Sequence, residues 1–474
     1  MKKRILALIL AGMMLFGGTI SAETISDGYD DFERLSSFGA NLYIDESVTA
    51  DYIMTEAIKK VINEKPELAT ELIKAAFQSL DEYSEFYTKE EYELFKKNLN
   101  KIVYGIGVVI QEQGDYVTVM SCVDDGGAKA AGVLPGDKIA KVNGQDVKGA
   151  SVDKVQDLIL GEIGTQVTVT FLRDGKELEF VITRKEVHGQ TVAGEILEGG
   201  IGYIAIINFA QKTAEEFAKI LWEFDQAGVT NIILDLRNNP GGYLDSAVDI
   251  ARMTVPAGTI VKTTYRDGIS SGEIVSKLTD PKFKFCVLIN KNSASAAEVL
   301  ASAMGESGVG HLVGEISYGK GVIQSMFEMP DGCAFKITTG RYFTRDGHDI
   351  NGNGIEPHEF IENSTEPIDL TKFHTFDYKT KPNIGDASQN VRAAKERLKI
   401  MGYYSGSIDD TFEPEFHNVI YKFQEDSGLG AYGVLDIATQ VKMENLFYKI
   451  EVEVDDQLRY AYKYFGGNPD DLGI

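Results

Sequence analysis

The feature that most constrains this chain is a short buried strand followed directly by an apolar helix. Val287-Leu288-Ile289 is typical of a buried strand, and small or apolar residues then recur at helical spacing, at Ala296, Val299, Leu300 and Ala303. Ser295 therefore lies at the turn between strand and helix. The first N–H groups of a helix and the positive end of its dipole favour negative charge there, as an attacking serine or an oxyanion requires. Ser295 is a candidate nucleophile, although most serines at a helix start only cap the helix.

A serine needs a base to become nucleophilic at neutral pH, and the sequence offers a lysine for this role. The nearest histidine, His311, lies in a Gly-His-Leu turn without a companion acidic motif. Lys320 lies among glycines and aliphatic residues in Tyr318-Gly319-Lys320-Gly321-Val322, where desolvation favours its neutral form. Gln324 can accept a hydrogen bond from the amine and orient it. A lone lysine is more often solvated surface, so the hypothesis depends on the pairing with Ser295.

A second polar turn follows another apolar strand, Ile232-Ile233-Leu234. The turn reads Asp235-Leu236-Arg237-Asn238-Asn239-Pro240-Gly241-Gly242, and a helix is predicted to begin near Leu244. A Pro-Gly-Gly turn leaves backbone N–H groups available and lets a substrate backbone approach closely. We interpret this turn as an oxyanion hole. Taken alone, it would also fit an ordinary tight connection between a strand and a helix.

A glycine-containing loop precedes an apolar strand in Tyr104-Gly105-Ile106-Gly107-Val108-Val109-Ile110. Such a loop can bind the terminal carboxylate of a peptide through backbone N–H groups and accept the peptide as an added strand. A turn at Leu134-Pro135-Gly136-Asp137, a hairpin at Val142-Asn143-Gly144 and a helix at 152–160 follow. These segments resemble a PDZ domain, whose predicted peptide-binding residues are Tyr104, Gly105, Ile106 and Gly107. A generic small β-rich domain is the alternative.

Together these motifs resemble the C-terminal processing, or tail-specific, serine proteases. The resemblance implies that Ser295 is the nucleophile, Lys320 the general base and Gln324 the residue that orients the lysine. It also implies an oxyanion hole formed by Gly241 or Gly242 with the N–H of Ala296, and the sequence does not decide between the two glycines. Further segments similar to this family are Gly340-Arg341-Tyr342-Phe343-Thr344, Gly352-Asn353-Gly354-Ile355-Glu356-Pro357 and the helical lead-in at 79–92.

The fold class that this resemblance implies is a multidomain α+β protein whose protease core is a crotonase-like αβ spiral. Alternation of strands with helices in the core, such as 202–206 with 214–223, agrees with it. The predicted domains are a signal peptide or membrane anchor at 1–22, a helical N-terminal region at 23–96, a PDZ domain at 97–187, the serine protease core at 188–365, a linker at 366–386, a C-terminal module at 387–446 and a helical tail at 447–474.

The C-terminal module has two apolar helical stripes, one at Val391, Ala394, Leu398 and Met401 and one at Val419, Ile420 and Phe423. It resembles the three-helix peptidoglycan-binding domain of bacterial envelope hydrolases. A turn that is usually rich in glycine reads Asp409-Asp410-Thr411-Phe412-Glu413 here, so a structural or dimer-forming role is the alternative to glycan binding. The tail after Asp455 is predicted as an amphipathic helix, which in the protease family can join the N-terminal helices in a homodimer.

The first 22 residues have the pattern of a signal peptide. They begin Met1-Lys2-Lys3-Arg4, continue with an apolar run and reach Ile20-Ser21-Ala22. An uncleaved membrane anchor is the alternative. The predicted location is therefore extracytoplasmic, in the cell envelope or secreted.

Composition narrows the partners. A formal charge of −25 argues against nucleic acid and against anionic membrane surfaces. Three cysteines in predicted strands of different domains suggest buried thiols rather than a disulfide framework. No metal or other cofactor is expected, because the histidines lack metal-ligand spacing. The segment Asp349-Ile350-Asn351-Gly352-Asn353-Gly354 begins like an EF-hand loop but has Phe360 instead of Glu at the twelfth position.

The sequence therefore predicts an exported serine endopeptidase that acts on protein or peptide substrates with accessible C-termini, selected through the PDZ domain. Peptidoglycan and a second copy of the chain are further predicted partners. The competing function is a non-catalytic, wall-binding PDZ scaffold with a degenerate protease core, and the presence of Ser295, Lys320 and Gln324 argues against it. A Ser-His hydrolase that uses His311 is a second alternative.

Overall fold

The computed structural model describes residues 28–45, 47–123, 126–266 and 271–472. The described residues form two compact units, one from the range Met1–Thr88 with Met326–Ile337 and one from the range Lys89–Ser325 with Thr338–Ile474. The predicted signal peptide or anchor at 1–22 lies outside the described residues. Within the described ranges, no helix is both long enough and apolar enough to cross a membrane.

The first unit is mainly helical, with helices Gly28–Leu42, Ala50–Glu64 and Leu68–Gln78. The second of these begins after Thr49, whose side chain accepts a hydrogen bond from the backbone N–H of Tyr52. The short strand Glu85–Tyr87 pairs antiparallel with residues 334–336. The rings of Phe77 and Phe335 pack with their centroids 5.1 Å apart and give this unit an aromatic contact beside the paired strands.

The region of the predicted PDZ domain follows the helix Lys89–Leu99. Its antiparallel sheet has the main strands in the order Val108–Gln113, Tyr116–Cys122, Lys138–Val142, Gln166–Arg173 and Lys176–Thr183, with Gln145–Asp146 beside the third. Helices Gly127–Ala131 and Val152–Ile159 pack on a core that includes Val119, Ile139 and Phe171. Strands Ile102–Gly105 and Lys185–His188 pair where the chain enters and leaves this sheet.

The region of the predicted protease core is built on a six-stranded sheet with the order Val192–Leu197, Ile201–Ile206, Asn231–Asp235, Lys284–Ile289, Gly310–Gly314 and Glu359–Phe360. The first pair is antiparallel and the remaining pairs are parallel. Helices Thr213–Gln226, Leu244–Thr254 and Ala296–Glu306 bury their apolar sides in the main hydrophobic core of this sheet. Because the strands are parallel, the turns after Asn231–Asp235 and Lys284–Ile289 lie at the same edge.

Additional strands flank the core. Gly258–Tyr265 pairs antiparallel with Gly272–Ser276 and, on its other side, with residues 340–343 of the long strand Ala334–Phe343. Strand Val322–Glu328, which follows the lysine loop, also pairs with that long strand. The loop with Lys320 is therefore anchored at its far end by a strand of a second sheet.

The second face of the six-stranded sheet is covered by the end of the chain. Strand Glu451–Val454 pairs antiparallel with Ser364–Pro367, and helix Asp456–Tyr464 follows, then a 3₁₀ turn at Pro469–Leu472. Ala461 and Tyr462 of this helix pack on Ile233, Leu288 and other buried residues of the sheet. The tail was predicted as an amphipathic helix, and the structure places that helix on the sheet of its own protease core.

The C-terminal module contains helices Gln389–Ile400, Pro414–Asp426 and Ile437–Phe447 around a core with Leu398, Phe416 and Phe423. Lys395 is fully buried, and its ammonium group donates hydrogen bonds to Asp409, Glu413 and the carbonyl oxygen of Thr411. The acidic turn that departs from the glycine-rich pattern thus neutralises a buried lysine. Phe376, inside the predicted linker, is buried in the same core, and a 3₁₀ turn at Leu370–Lys372 precedes it.

All three cysteines are free thiols, as expected. Only Cys286 is fully buried, and burial raises its pKa to about 12. Cys122 and Cys333 are partly exposed, so the expectation that all three are buried is met at one position. A thiol with a raised pKa is a poor nucleophile, and Cys286 therefore acts as a small apolar core residue.

Candidate active site

Ser295 occupies a strained turn between the strand Lys284–Ile289 and the helix Ala296–Glu306. Its backbone has φ 56° and ψ −115°, a conformation that non-glycine residues rarely adopt and that costs about 1–3 kcal/mol. The residue is 9% exposed between two alanines. Sharp, strained turns of this kind present the nucleophile in known hydrolases. The predicted position of Ser295 at the helix start is therefore observed, and the turn holds it in an unusual conformation.

A buried glutamate, Glu298, holds this turn. Its side chain is fully buried and accepts four hydrogen bonds. The oxygen Oε2 accepts from the backbone N–H groups of Ser295 at 2.7 Å and Lys320 at 2.8 Å. The oxygen Oε1 accepts from the hydroxyl of Ser317 and the N–H of Gly319, both at 2.6 Å. Four donors satisfy a buried carboxylate that would otherwise be costly.

The shared oxygen brings the serine and lysine residues together. Since the backbone nitrogens of Ser295 and Lys320 lie 2.7 and 2.8 Å from one atom, they are at most about 5.5 Å apart, the sum of those distances. Our reading of the sequence assigned no role to Glu298. The signal that could have found it is the serine followed three residues later by glutamate, which is the pattern of a capping box.

The glycines beside Lys320 are required by close packing. A Cβ atom on Gly321 would lie 2.3 Å from the backbone nitrogen of Asn351, and one on Gly319 would lie 3.0 Å from that of Gly354. The N–H of Gly352 donates to the carbonyl oxygen of Gly319. The EF-hand-like segment therefore supports the lysine loop. Among the described residues, no group of three or more His, Cys, Asp or Glu side chains could hold a metal ion.

Gln324 lies on the strand Val322–Glu328 and is partly buried. Its amide nitrogen is 3.4 Å from the carbonyl oxygen of Val322 and 3.4 Å from Oγ1 of Thr338. Both distances are at the long end for a hydrogen bond, so these contacts hold the amide weakly. The amide can therefore turn without losing strong contacts. Its role in orienting the lysine stays a prediction.

The loop 235–242 packs directly on the serine turn. The N–H of Ala294 donates to the carbonyl oxygen of Asn239, and the hydroxyl of Ser293 donates to that of Leu236. A Cβ atom on Gly241 would lie 2.8 Å from Cβ of Ser295, so only glycine fits there. The two turns that the sequence singled out are thus in contact at one edge of the sheet.

The hydrogen bonds of the loop distinguish the two candidate glycines. The N–H of Gly241 already donates to the side-chain oxygen of Asn239 at 2.9 Å. The carbonyl of Gly241 and the N–H of Tyr243 both bind the backbone of Phe209. The N–H of Gly242 belongs to the same peptide group as the carbonyl of Gly241, which faces Phe209. Because N–H and C=O point in opposite directions in a trans peptide, the N–H of Gly242 points away from Phe209. Within the described residues, nothing accepts a hydrogen bond from Gly242 N–H, which makes Gly242 the better oxyanion donor.

Ala296 completes the second donor position. It is the first residue of the helix Ala296–Glu306, where N–H groups have no intrahelical acceptor. The backbone nitrogen of Ala296 lies 3.1 Å from the position of a Cβ on Gly241. The N–H groups of Ala296 and the Gly241-Gly242 segment are therefore neighbours beside Ser295, as the sequence predicts for an oxyanion hole.

The histidine alternative has the wrong geometry. The sequence placed His311 in a turn, which is wrong: it lies on the strand Gly310–Gly314 and pairs with Cys286. On this strand Leu312 belongs to the main core, while Val313 packs with the C-terminal helix. Side chains alternate along a strand, so His311 shares the face of Val313, opposite the serine helix. Its ring stacks on His358 and Tyr464, with centroids 5.2 and 4.6 Å away. Burial and the neighbouring His358 lower the pKa of His311.

The PDZ region has a groove where the sequence predicted one. A cavity of about 220 Å³ is lined by Gly105, Ile106, Gly107 and, from the helix Val152–Ile159, by Gln156 and other residues. Gly107 has φ +78°, and a Cβ there would lie 2.7 Å from Cα of Gly126, so the turn requires glycine. Tyr104 lies outside this lining, and the ammonium group of Lys97 lies 4.5 Å from its ring centroid.

The serine turn, the lysine loop and the loop 235–242, which we call the oxyanion loop after its predicted role, meet at one edge of the sheet, and the same chain has a peptide-sized groove. This is the arrangement expected of a serine peptidase. Three family models match: peptidase family S41 at residues 200–361, a PDZ domain at 105–183 and a peptidoglycan binding domain at 387–443. The carboxy-terminal processing protease CtpA of Bacillus subtilis is 30% identical over 467 residues, covering 96% of both chains. The chain therefore belongs to the carboxy-terminal processing proteases of peptidase family S41.

A further curated relative agrees with this family, and one solved structure is similar in part. A probable CtpA-like serine protease of Staphylococcus aureus strain N315 is 32% identical over 418 residues, covering 85% of this chain and 82% of the relative. The solved structure of a photosystem II D1 C-terminal processing protease is 27% identical, with TM-score 0.42, over 71% of this chain and 94% of the other. The predicted family, its hydrolase activity on peptide bonds and the multidomain α+β fold class are confirmed. The matches also support an extracytoplasmic, cell-envelope location.

Proposed function

We propose that this protein is an exported serine endopeptidase that uses Ser295 as nucleophile and neutral Lys320 as general base, assisted by Gln324. The observation that carries the proposal is the Oε2 atom of Glu298, which binds the backbone N–H groups of both Ser295 and Lys320. This contact holds the backbones of the two residues next to each other, as a Ser-Lys mechanism requires. The same contact opposes the non-catalytic scaffold as the alternative function.

The mechanism follows from these positions. The hydroxyl oxygen of Ser295 attacks the peptide carbonyl carbon while its proton passes to the neutral amine of Lys320. The N–H groups of Gly242 and Ala296 hold the resulting oxyanion. When the C–N bond breaks, Lys320 returns the proton to the leaving amine. Water then hydrolyses the acyl-enzyme, with the lysine again as base. An exposed lysine has a pKa of about 10.4 and would be almost fully charged at pH 7. The mechanism therefore requires that the loop favour the neutral form of Lys320.

The test compares Ser295→Ala and Lys320→Ala with wild type on a short unstructured peptide. Each should lower kcat/KM at least about a thousandfold, and the double variant should be hardly worse than either single variant, because the two residues act as a unit. Lys291→Ala is the matched control, since Lys291 is an exposed lysine of the serine turn. Near wild-type turnover in Lys320→Ala would exclude the Ser-Lys mechanism.

We further propose that substrates are selected by their C-terminal residues through the PDZ groove. The groove is lined mainly by aliphatic residues such as Ile106, Val152 and Leu160, which suits an apolar final side chain. Peptides that differ only in the last residue, cleaved and read by mass spectrometry, should show preference for an apolar end. No dependence on the last residue would contradict the proposal.

A variant that keeps the turn intact tests the groove itself. Gln156→Glu adds a negative charge to the groove lining and should raise KM for tailed peptides about threefold or more, because it repels the terminal carboxylate. Gln145→Glu makes the same change at an exposed position of the same domain and should not. Faster cleavage in Gln156→Glu would indicate that the PDZ domain inhibits the protease until a tail binds.

Export, glycan binding and dimer formation complete the proposal. Export is supported by the charged and apolar start of the sequence, and glycan binding by the match of the C-terminal module. Exposed apolar side chains such as Val61, Leu72 and Ile73 on helices of the first unit support a contact with a second copy. Fractionation of cells, co-sedimentation with purified peptidoglycan and light scattering of the purified protein test these points. Recovery of the protein in the cytoplasmic fraction would contradict export. A protein that stays in the supernatant would contradict glycan binding, and a monomeric mass would contradict dimer formation.

A further inference from the structure

The oxyanion loop is attached to the C-terminal tail through a single guanidinium group. Arg237 donates from Nη1 and Nη2 to the carboxylate of Asp455, at 2.6 and 2.9 Å. The same group donates from Nε and Nη2 to Asp235, at 3.0 and 2.6 Å. Burial lowers the pKa of Arg237, but hydrogen bonds to both carboxylates outweigh it and raise the pKa above its usual value. Arg237 is thus firmly bound to a residue 218 positions further along the chain.

The tail side of this link is rigidly placed. Asp455 follows the paired strand Glu451–Val454 and caps the helix Asp456–Tyr464, since its Oδ1 accepts a hydrogen bond from the N–H of Leu458 at 2.9 Å. Gln457 donates to the carbonyl oxygen of Ile361 and accepts from Arg237 at 3.3 Å. The carboxylate of Asp455 is therefore fixed relative to the sheet before it meets the arginine.

The loop side leads directly to the oxyanion donors. Asn238, next to Arg237, has φ 57° and accepts hydrogen bonds from the side chains of Asn290 and Asn292 in the serine turn. The chain then continues to Gly242, five residues after Arg237. Tail residues also face this junction, because Glu453 and Asp455 line a polar cavity of about 640 Å³ together with residues of both turns.

We propose that Asp455 is a positioning residue for the oxyanion hole. Through Arg237 it fixes the loop that carries Gly242, so the tail sets the catalytic competence of a site that it does not touch. This inference rests on the proposed function, in which Gly242 donates to the oxyanion. Without the second carboxylate, Arg237 keeps Asp235 but loses its anchor to the tail. The loop then samples positions in which Gly242 N–H no longer meets the developing charge.

Asp455→Asn in the full chain tests the proposal. Asparagine caps a helix as well as aspartate, so the tail helix keeps its start while the charge is lost. We expect kcat for a short peptide to fall about tenfold or more with KM within about twofold, because the interaction acts in the transition state. The affinity of a peptide aldehyde, whose adduct with the serine mimics the oxyanion, should fall in parallel with kcat/KM. Asp455→Glu should restore part of the activity.

The matched control is Asp456→Asn. Asp456 is the next carboxylate and binds the N–H and hydroxyl of Ser364, so its loss perturbs the same tail without touching Arg237. A merely structural tail would give both variants the same small loss. If kcat of Asp455→Asn stays within about twofold of wild type, or Asp456→Asn falls equally, the proposal is overturned.

Hydrogen exchange separates this proposal from the proposed function. Peptide fragments that cover residues 237–243 should exchange faster in Asp455→Asn than in wild type or Asp456→Asn, whatever residue is the nucleophile. Unchanged exchange would overturn the positioning role even in an active enzyme. A different outcome is also possible: exchange becomes faster in Asp455→Asn, but Ser295→Ala does not reduce activity. That result would support the positioning role of Asp455 and reject the proposed mechanism.

Discussion

Replacing Glu298 by glutamine tests the contact that joins the serine turn to the lysine loop. If the new amide nitrogen takes the place of Oε1, Ser317 can accept from it, because a hydroxyl oxygen both donates and accepts. The N–H of Gly319 and the hydroxyl hydrogen of Ser317 then both lose their acceptor on residue 298. The hydroxyl can rotate to another acceptor, whereas the N–H of Gly319 cannot, at a cost of about 1–3 kcal/mol. The opposite orientation would leave the N–H groups of both Ser295 and Lys320 without an acceptor, so we expect the first.

Neutralisation also weakens the two hydrogen bonds that remain at Oε2, since a bond to a charged acceptor stabilises by about 1 kcal/mol more than a neutral one. Part of this loss is offset, because a neutral amide costs less free energy to bury than the carboxylate of Glu298. We expect a net destabilisation of about 2–4 kcal/mol. If the predicted protease core at 188–365 unfolds as one cooperative unit, this change lowers Tm by roughly 5–12 °C. Because the contacts of Ser295 and Lys320 are kept, kcat/KM should fall only about tenfold.

Thermal and denaturant unfolding of the whole chain, followed with kcat/KM on a short peptide, measure both effects. Glu306→Gln is the matched control on the same helix, where the carboxylate contacts the backbone N–H of Asp346 and the ring of His348 and is not part of the site. A stability change under about 0.5 kcal/mol with full activity would refute the reasoning.

Other consequences follow from the same geometry. Gln324→Glu should move the acidic limb of the kcat/KM profile to higher pH, because a carboxylate raises the pKa of a neighbouring amine; Gln324→Ala should lower turnover at every pH. Ser295→Gly should abolish activity yet raise the unfolding free energy by about 1 kcal/mol in denaturant titrations, since glycine adopts its backbone angles without strain. The pKa of His311 is lowered on folding, so the unfolded chain binds its proton more readily and stability falls as pH drops below about 6.5. His311→Phe should flatten the decline of Tm between pH 7 and 5. Finally, Pro367 pairs with Glu451, so replacing residues 369–449 by an Asn-Gly turn should leave kcat/KM for a short peptide within about threefold of wild type.

Much of the site could be predicted because its signals are local. Ser295 lies where an apolar strand meets a helix with regular spacing, and the helix observed after the glycine turn begins at Leu244 as predicted. The predicted core helix at 214–223 corresponds to Thr213–Gln226. Turns of small residues between a strand and a helix are determined by residues close together in the sequence, so one sequence is enough to recognise them.

The contacts that the sequence did not give are those between distant segments. Glu298 is visible as part of a capping box, but its bonds to the lysine loop depend on how that loop folds back over the helix. The choice of Gly242 over Gly241 depends on the side chain of Asn239 in the same turn and on Phe209, which lies about thirty residues earlier in the chain. No periodicity or spacing contains this information, because hydrogen-bond direction in an irregular loop is set by tertiary packing.

The division of the chain into modules shows the same limit. In the sequence, the C-terminal module at 387–446 lies between the protease core and the tail, so the sequence suggests that the tail is separate from the core. In the structure, the strands Ser364–Pro367 and Glu451–Val454 are the two arms of one antiparallel pair, and the N–H of Ile368 donates to the carbonyl of Ile450. The module is therefore an insertion in a hairpin. Because the second arm leads to Asp455 and Arg237, an enzyme shortened before the module would lose a buried face of its sheet and the anchor of its oxyanion loop together.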